Sequence, residues 1–223
     1  MKRFLGLLLV CVVIIGLSNP LEAASRYGIK HKDQVNQDWE VHVDYPVFEA
    51  LKNRQLQKEI NEKIIQKLED TSSEIRGAAE EMSGFPVLYY EEAAVFREEQ
   101  FYSVVLTSHI SRGNNYTSTV TSLNFYDRER GKVLALNELF EMDEVNKQVK
   151  KELAKEPDTY FVKTFSSVRP NTAFYIRGDM LNLVFNKFEI APGVYGTPEI
   201  QLPLKRLKEK ETENAHAPFP SIS

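Results

Sequence analysis

The chain reads as an α+β protein: antiparallel sheets, each packed by a helix, in two small tandem units. Three observations lead there. Trp39, Val41, Val43 and Tyr45 alternate with Asp38, Glu40, His42 and Asp44, the two-residue period of a half-buried strand. Leu56, Ile60, Ile64 and Leu68 recur every fourth position and lay one apolar stripe along a helix. In the second half Val145, Val149 and Leu153 mark another helix, and Phe174–Ile176 with Met180–Phe185 mark a hairpin through Gly178 and Asp179.

Each element has its punctuation. Pro46 is expected to close the first strand, and Asn53 to cap the first helix. Gly84 and Pro86 end this region, and because the stretch from Thr71 to Ser83 is weakly apolar the helix is expected to stop well before them. Three strands follow, Val87–Phe96, Phe101–Ile110 and Tyr116–Tyr126, joined by short polar turns as a meander. Arg128–Gly131 is the turn between the halves, Asn137–Phe140 a short helical piece, and Asp143 the start of a helix stopped by Pro157. Phe185–Pro203 completes the second sheet through a loop dense in Pro192, Gly193, Gly196 and Pro198, which fixes one backbone path. From Lys208 to Ser223 a frayed tail is expected.

Composition bounds the function. With 223 residues, 42% apolar and 27% charged, the chain has the make-up of an ordinary globular protein. Lys2 and Arg3 precede an apolar run, Phe4–Ile15, and small residues at Ala23 and Ala24: the order of a secretory signal peptide cut after Ala23. An uncleaved anchor is the alternative, because Leu21 is larger than the usual residue three positions before a cut. Cys11 is the only cysteine and leaves with the leader, so no disulfide, thiolate nucleophile or sulfur ligand remains. Without Lys2, Arg3 and Glu22 the chain holds 26 basic and 31 acidic residues, a net charge near −5. No basic block interleaved with aromatics exists, which argues against nucleic acid as a partner.

No catalytic or metal-binding pattern accompanies these features, and no cofactor is implied. His31, His42, His109 and His216 lack zinc-site spacing, and His42 and His109 read as solvated strand residues. Ser108 and His109 point to opposite faces of a strand, so they form no nucleophile–base pair. Glu91, Glu92, Glu98 and Glu99 read as a charged hairpin that discourages edge pairing. Tyrosines carry the better argument for binding, since a ring supplies apolar area and a polar tip. Tyr89, Tyr90, Tyr116 and Tyr195 are placed in or beside loops. The candidate ligand contacts are Tyr195, held between flanking glycines, with Glu189 and Tyr116. Glu189 has a second reading, as acceptor for the loop's own amides.

Two stretches carry a family resemblance. The strand into Tyr45–Leu51 and the Asn-capped helix of Leu56–Ile64 resemble a domain found beside polysaccharide deacetylases, here residues 25–127. Residues 132–207 resemble the small domain that follows it, through the Leu136–Phe140 entry, the Phe174–Tyr175 strand and the Asn-x-Phe-Glu-Ile-Ala-Pro-x-x-x-Gly signature of Asn186–Gly196. The tandem is similar to the extracytoplasmic part of lysozyme-responsive membrane anti-sigma factors and to the N-terminal region of certain peptidoglycan deacetylases. It departs from them at Ser111–Asn115, where members often carry a Gly-Gly-Ala-His-type loop. No cytoplasmic segment precedes the apolar run and no deacetylase domain follows Ser223, so neither sigma-factor capture nor deacetylation is expected.

The resemblance implies a secreted or cell-envelope, non-catalytic binding protein with peptidoglycan or a lysozyme-like envelope protein as partner. It would touch membrane only through an uncleaved leader. Lysozyme binding or inhibition, and a cryptic peptidoglycan hydrolase or deacetylase, are the alternatives.

Overall fold

The structure is a computed structural model that describes residues 26–81 and 85–210. The expected leader and the end of the expected tail lie outside the described residues. Among the described residues no helix is long and apolar enough to cross a membrane.

Six strands form the larger sheet in chain order: β1 (Tyr27–Val35), β2 (Trp39–Phe48), β3 (Val87–Glu98), β4 (Phe101–Arg112), β5 (Asn115–Tyr126) and β6 (Val133–Leu134). All neighbours are antiparallel except β2 and β3, which run parallel. Helix α1 (Arg54–Glu81) makes the crossover between those two, as a parallel connection requires. Asn53 does cap it, its Oδ1 accepting from the N–H groups of Gln55 and Leu56 at 2.9 and 3.0 Å.

The helix instead continues through the weakly apolar stretch as far as Glu81. Ile75 and Ala79 extend the buried stripe of Leu56, Ile60, Ile64 and Leu68. Ser72 fills the intervening position, and its hydroxyl donates to the Leu68 carbonyl at 2.7 Å, so a polar side chain is buried without an orphan donor. That serine is why the stripe fades in sequence.

One strand expectation is corrected, and one strand was not expected at all. Pro46 does not close β2, which continues to Phe48. Pairing with β3 covers only Trp39–Val43, so Pro46 sits where the strand is bonded to β1 alone and needs no second ladder. β1 carries no readable apolar alternation because it is an edge strand, exposed along most of its length.

The smaller sheet is an antiparallel set of β7 (Ala173–Arg177), β8 (Met180–Val184) and β9 (Glu199–Pro203). Leu136–Leu139 (α2) and Met142–Leu153 (α3) cover one face, where Val145, Val149 and Leu153 meet Phe174, Ile176, Leu181, Leu183, Ile200 and Leu202. The other face packs on the larger sheet. Ala173, Tyr175 and Val184 meet Val105 and Val120 there, and Phe96 stacks on Tyr175 with ring centroids 3.7 Å apart. Such a stack adds about 1 kcal/mol beyond area burial. The layer order is therefore helix, sheet, sheet, helix, with β4 buried on both faces.

The junction is polar as well as apolar. Asn186 Oδ1 accepts from the Val120 N–H, Ser122 Oγ from the Phe174 N–H, and Glu98 Oε1 from the Gly178 N–H. Beyond the Arg128–Gly131 turn, β6 adds to the larger sheet, so the second half begins as a strand of the first. Lys208–Lys210, placed in the tail from sequence, are tied down by the Phe140–Glu209 bridge. The bonds Glu141 N–H to Lys208 O and Lys210 N–H to Leu139 O flank it.

Candidate binding surface

Between β8 and β9 the chain makes a loop whose parts are individually accounted for. The Phe185 N–H donates to the Pro198 carbonyl at 2.9 Å and closes the base. Asn186 reaches across to β5, as described above. Glu189 turns inward: Arg169 grips both its oxygens through Nε and a terminal nitrogen, each at 2.8 Å, and the Asn186 N–H donates to Oε2 at 2.9 Å. Ile190 and Ala191 are buried and anchor the middle. A 3₁₀ turn at Gly193–Tyr195 follows Pro192, and Gly196 exits it at φ +64°, a left-handed conformation suited to glycine.

What this scaffold presents is apolar. Val194 is 87% exposed, Phe188 57% and Tyr195 50%. Phe188 also has φ +69°, which for an aromatic residue costs about 1 kcal/mol or more. The ring lies over Gly193, where a Cβ would fall 2.2 Å from it, so the glycine leaves the space that the ring occupies.

Lys187 extends the surface to β5. Its N–H donates to the Ser118 carbonyl and its ammonium to the Tyr116 carbonyl. The ammonium lies 4.3 Å from the Tyr116 ring and 5.1 Å from the Phe188 ring. Tyr116 is 44% exposed, and its hydroxyl lies 2.7 Å from His109 Nδ1. His109 therefore leans on Tyr116 and Ser118 rather than standing alone in solvent.

Of the three expected contacts, Tyr195 and Tyr116 lie on this surface and Glu189 does not face outward. Its oxygens are held by Arg169 and the backbone, so its place is to shape the loop that carries Tyr195. Phe188, Val194 and Lys187 were missed. The signal was present in the signature itself, where Phe188 stands in a segment otherwise explained by anchors and turns. The placement of Tyr89 beside a loop is also corrected: it is buried in β3. Tyr90 is exposed but stacks on His42, with centroids 5.0 Å apart, away from this loop's chain of contacts.

Two polar constellations lie elsewhere. Glu91 belongs to no solvated hairpin. It is fully buried between α1 and the sheet, pairing with Lys67 and accepting from Ser108 at 2.7 Å and from Tyr89 at 2.6 Å. The Lys67 ammonium also donates to Ser108 Oγ at 2.6 Å. A lysine beside a serine invites a nucleophile reading, but the hydroxyl proton points at Glu91 and the site is buried. Burial pushes the Lys67 pKa down and the Tyr89 pKa up, the latter strongly. The arrangement is a structural clasp between helix and sheet.

On the outer face of β1 and β2, Asp33 bridges His31 and His42 at 2.8 and 2.7 Å, while Asp44 and Glu40 take the remaining ring nitrogens. Hydrogen bonds to Asp44 and Asp33 raise the His31 pKa; those to Asp33 and Glu40 raise that of His42. This row was invisible without β1. Among the described residues no group of three or more His, Cys, Asp or Glu is arranged to hold a metal ion.

The fold has a solved counterpart. A crystal structure described as a member of the DUF3298 family, from Bacteroides fragilis NCTC 9343, superposes with a TM-score of 0.62 at 13% identity, covering 80% of this chain and 90% of that one. In sequence the chain is similar to the anti-sigma-V factor RsiV of Bacillus subtilis (strain 168), at 24% identity over 192 residues. That alignment covers 78% of this chain and spans 65% of the relative's length. Residues 134–205, which hold α2, α3, the smaller sheet and the whole aromatic loop, match the family model described as protein of unknown function (DUF3298).

Proposed function

We propose that this protein is a non-catalytic extracytoplasmic binding module that inserts its Phe188–Tyr195 loop into a concave envelope protein, with a lysozyme-like wall hydrolase as the partner. The observation that carries the reading is a rigidly braced loop with three large apolar side chains turned to solvent. Soluble proteins seldom leave such a cluster uncovered without a partner for it. Its shape favours protein over polysaccharide. A projecting tip, most exposed at Val194, fits a cleft, whereas a sugar chain needs a groove or platform of its own. The likeness to an anti-sigma factor, in a class resembling the lysozyme-responsive ones, supports the same partner, and the leader-like N-terminus supports the compartment.

The test is surface plasmon resonance against immobilised lysozyme, with a pull-down on purified peptidoglycan in parallel. Binding to lysozyme is expected, and Tyr195→Ala should weaken it by about thirtyfold, the scale of an interfacial hot spot. Circular dichroism of that variant should be unchanged. Absence of lysozyme binding, or retention on peptidoglycan alone, refutes the proposed partner.

A further inference from the structure

A groove of about 360 Å³ lies between α1 and the β1–β2 end of the larger sheet, remote in sequence from the aromatic loop. It exists because α1 packs over β2 and β3 and leaves the inner face of β1 uncovered. Val43, Tyr45 and Leu68 make its apolar floor. Lys32 and Arg76 bring positive charge to the rim, and Glu69 brings negative charge. Among the described residues neither the Lys32 ammonium nor the Glu69 carboxylate makes a hydrogen bond or ion pair, so both charges are open to a ligand.

One atom is unsatisfied in this lining. Gln34 Oε1 is cut off from water and accepts no hydrogen bond. A shielded acceptor without a donor is costly and is relieved by whatever supplies one.

We infer that this groove binds a short peptide with an apolar side chain and a free carboxylate. A turn of the Gln34 amide brings Oε1 to the groove, where a backbone N–H of the peptide supplies the missing donor. The side chain lies on Val43, Tyr45 and Leu68. Lys32 and Arg76 take the carboxylate, and Glu69 takes the amino end. The volume lies at the lower end of the range for ligand sites, which suits two or three residues. A neutral sugar would leave both signs of rim charge unused.

The experiment titrates the ¹⁵N-labelled full chain with the tripeptide Gly-Leu-Leu, with its C-terminal amide, and with chitotriose, following backbone amide shifts. The free-acid peptide should move resonances of Lys32, Gln34 and Leu68–Arg76. The amide should bind about tenfold more weakly, having lost one charge-assisted contact. Gln34→Leu should also lose about tenfold in affinity while melting no lower than the wild type, since the orphan acceptor is gone. Undiminished peptide affinity in that variant overturns the inference. So do shifts confined to residues 187–195, equal binding of acid and amide, a groove response to chitotriose alone, or no response at all.

Discussion

Replacing Glu91 by Leu removes the acceptor at the centre of the clasp between α1 and the sheet. Three groups lose their partner: the Lys67 ammonium, whose side chain is only 21% exposed, the Ser108 hydroxyl and the Tyr89 hydroxyl. Breaking a buried ion pair from one side costs about 3–5 kcal/mol, because a charge is left behind in low dielectric. In a domain of this size that lowers Tm by roughly 10 °C. Lys67→Met should cost at least as much, since it strands a carboxylate that is wholly buried. The double variant is the decisive one. With both charges gone the desolvation penalty disappears on each side, and stability should return to within about 2 kcal/mol of wild type. Urea unfolding of the four proteins gives the coupling energy directly. Single variants losing under about 1 kcal/mol, or a double variant as unstable as the sum of the singles, would refute the clasp.

Other outcomes are expected from separate parts of the fold. Proton NMR should titrate His31 and His42 above the ordinary histidine midpoint, and Asp33→Asn should bring both down together. With the histidine values raised and that of Asp33 lowered, the row's stabilising contribution is present between the ordinary aspartate and histidine pKa values. It fades as pH rises through the raised histidine values, and again as pH falls through the lowered Asp33 value. Midpoints at or below the ordinary histidine value would contradict the row. Gly131→Ala puts a Cβ 2.2 Å from the Tyr126 carbonyl oxygen and 2.8 Å from Leu56, a clash with backbone that cannot yield; a loss of about 3 kcal/mol is expected in chemical unfolding. Gly193→Ala instead meets the Phe188 ring at 2.2 Å, a side chain free to swing outward. It should weaken binding by the aromatic loop while leaving Tm within a few degrees, and unchanged affinity would show that Phe188's position is immaterial.

Much of the fold was legible wherever the pattern is local. The four-residue stripe and Asn53 announce α1, Val145, Val149 and Leu153 announce α3, and Gly178 and Asp179 announce the β7–β8 hairpin, because each depends on neighbours within a few positions. β1 was not legible, since an edge strand outside the core carries no apolar code. Nor was the parallel β2–β3 pair, whose only local sign is the length of chain between the strands. Glu91 looked like one surface carboxylate among four. Its burial follows from Lys67 arriving on the helix opposite, 24 residues away.

The candidate surface divides the same way. Its loop is written into residues 186–196 as turns, anchors and one exposed tyrosine, and the sequence alone places Tyr195 on it. That Tyr116, 71 residues from Lys187, joins the same patch is decided by the stacking of the two sheets. Local pattern specifies which way a side chain leaves its own strand or turn. Which side chains meet is set by the free energy of burying one layer against another, and that term couples positions no short window of sequence contains.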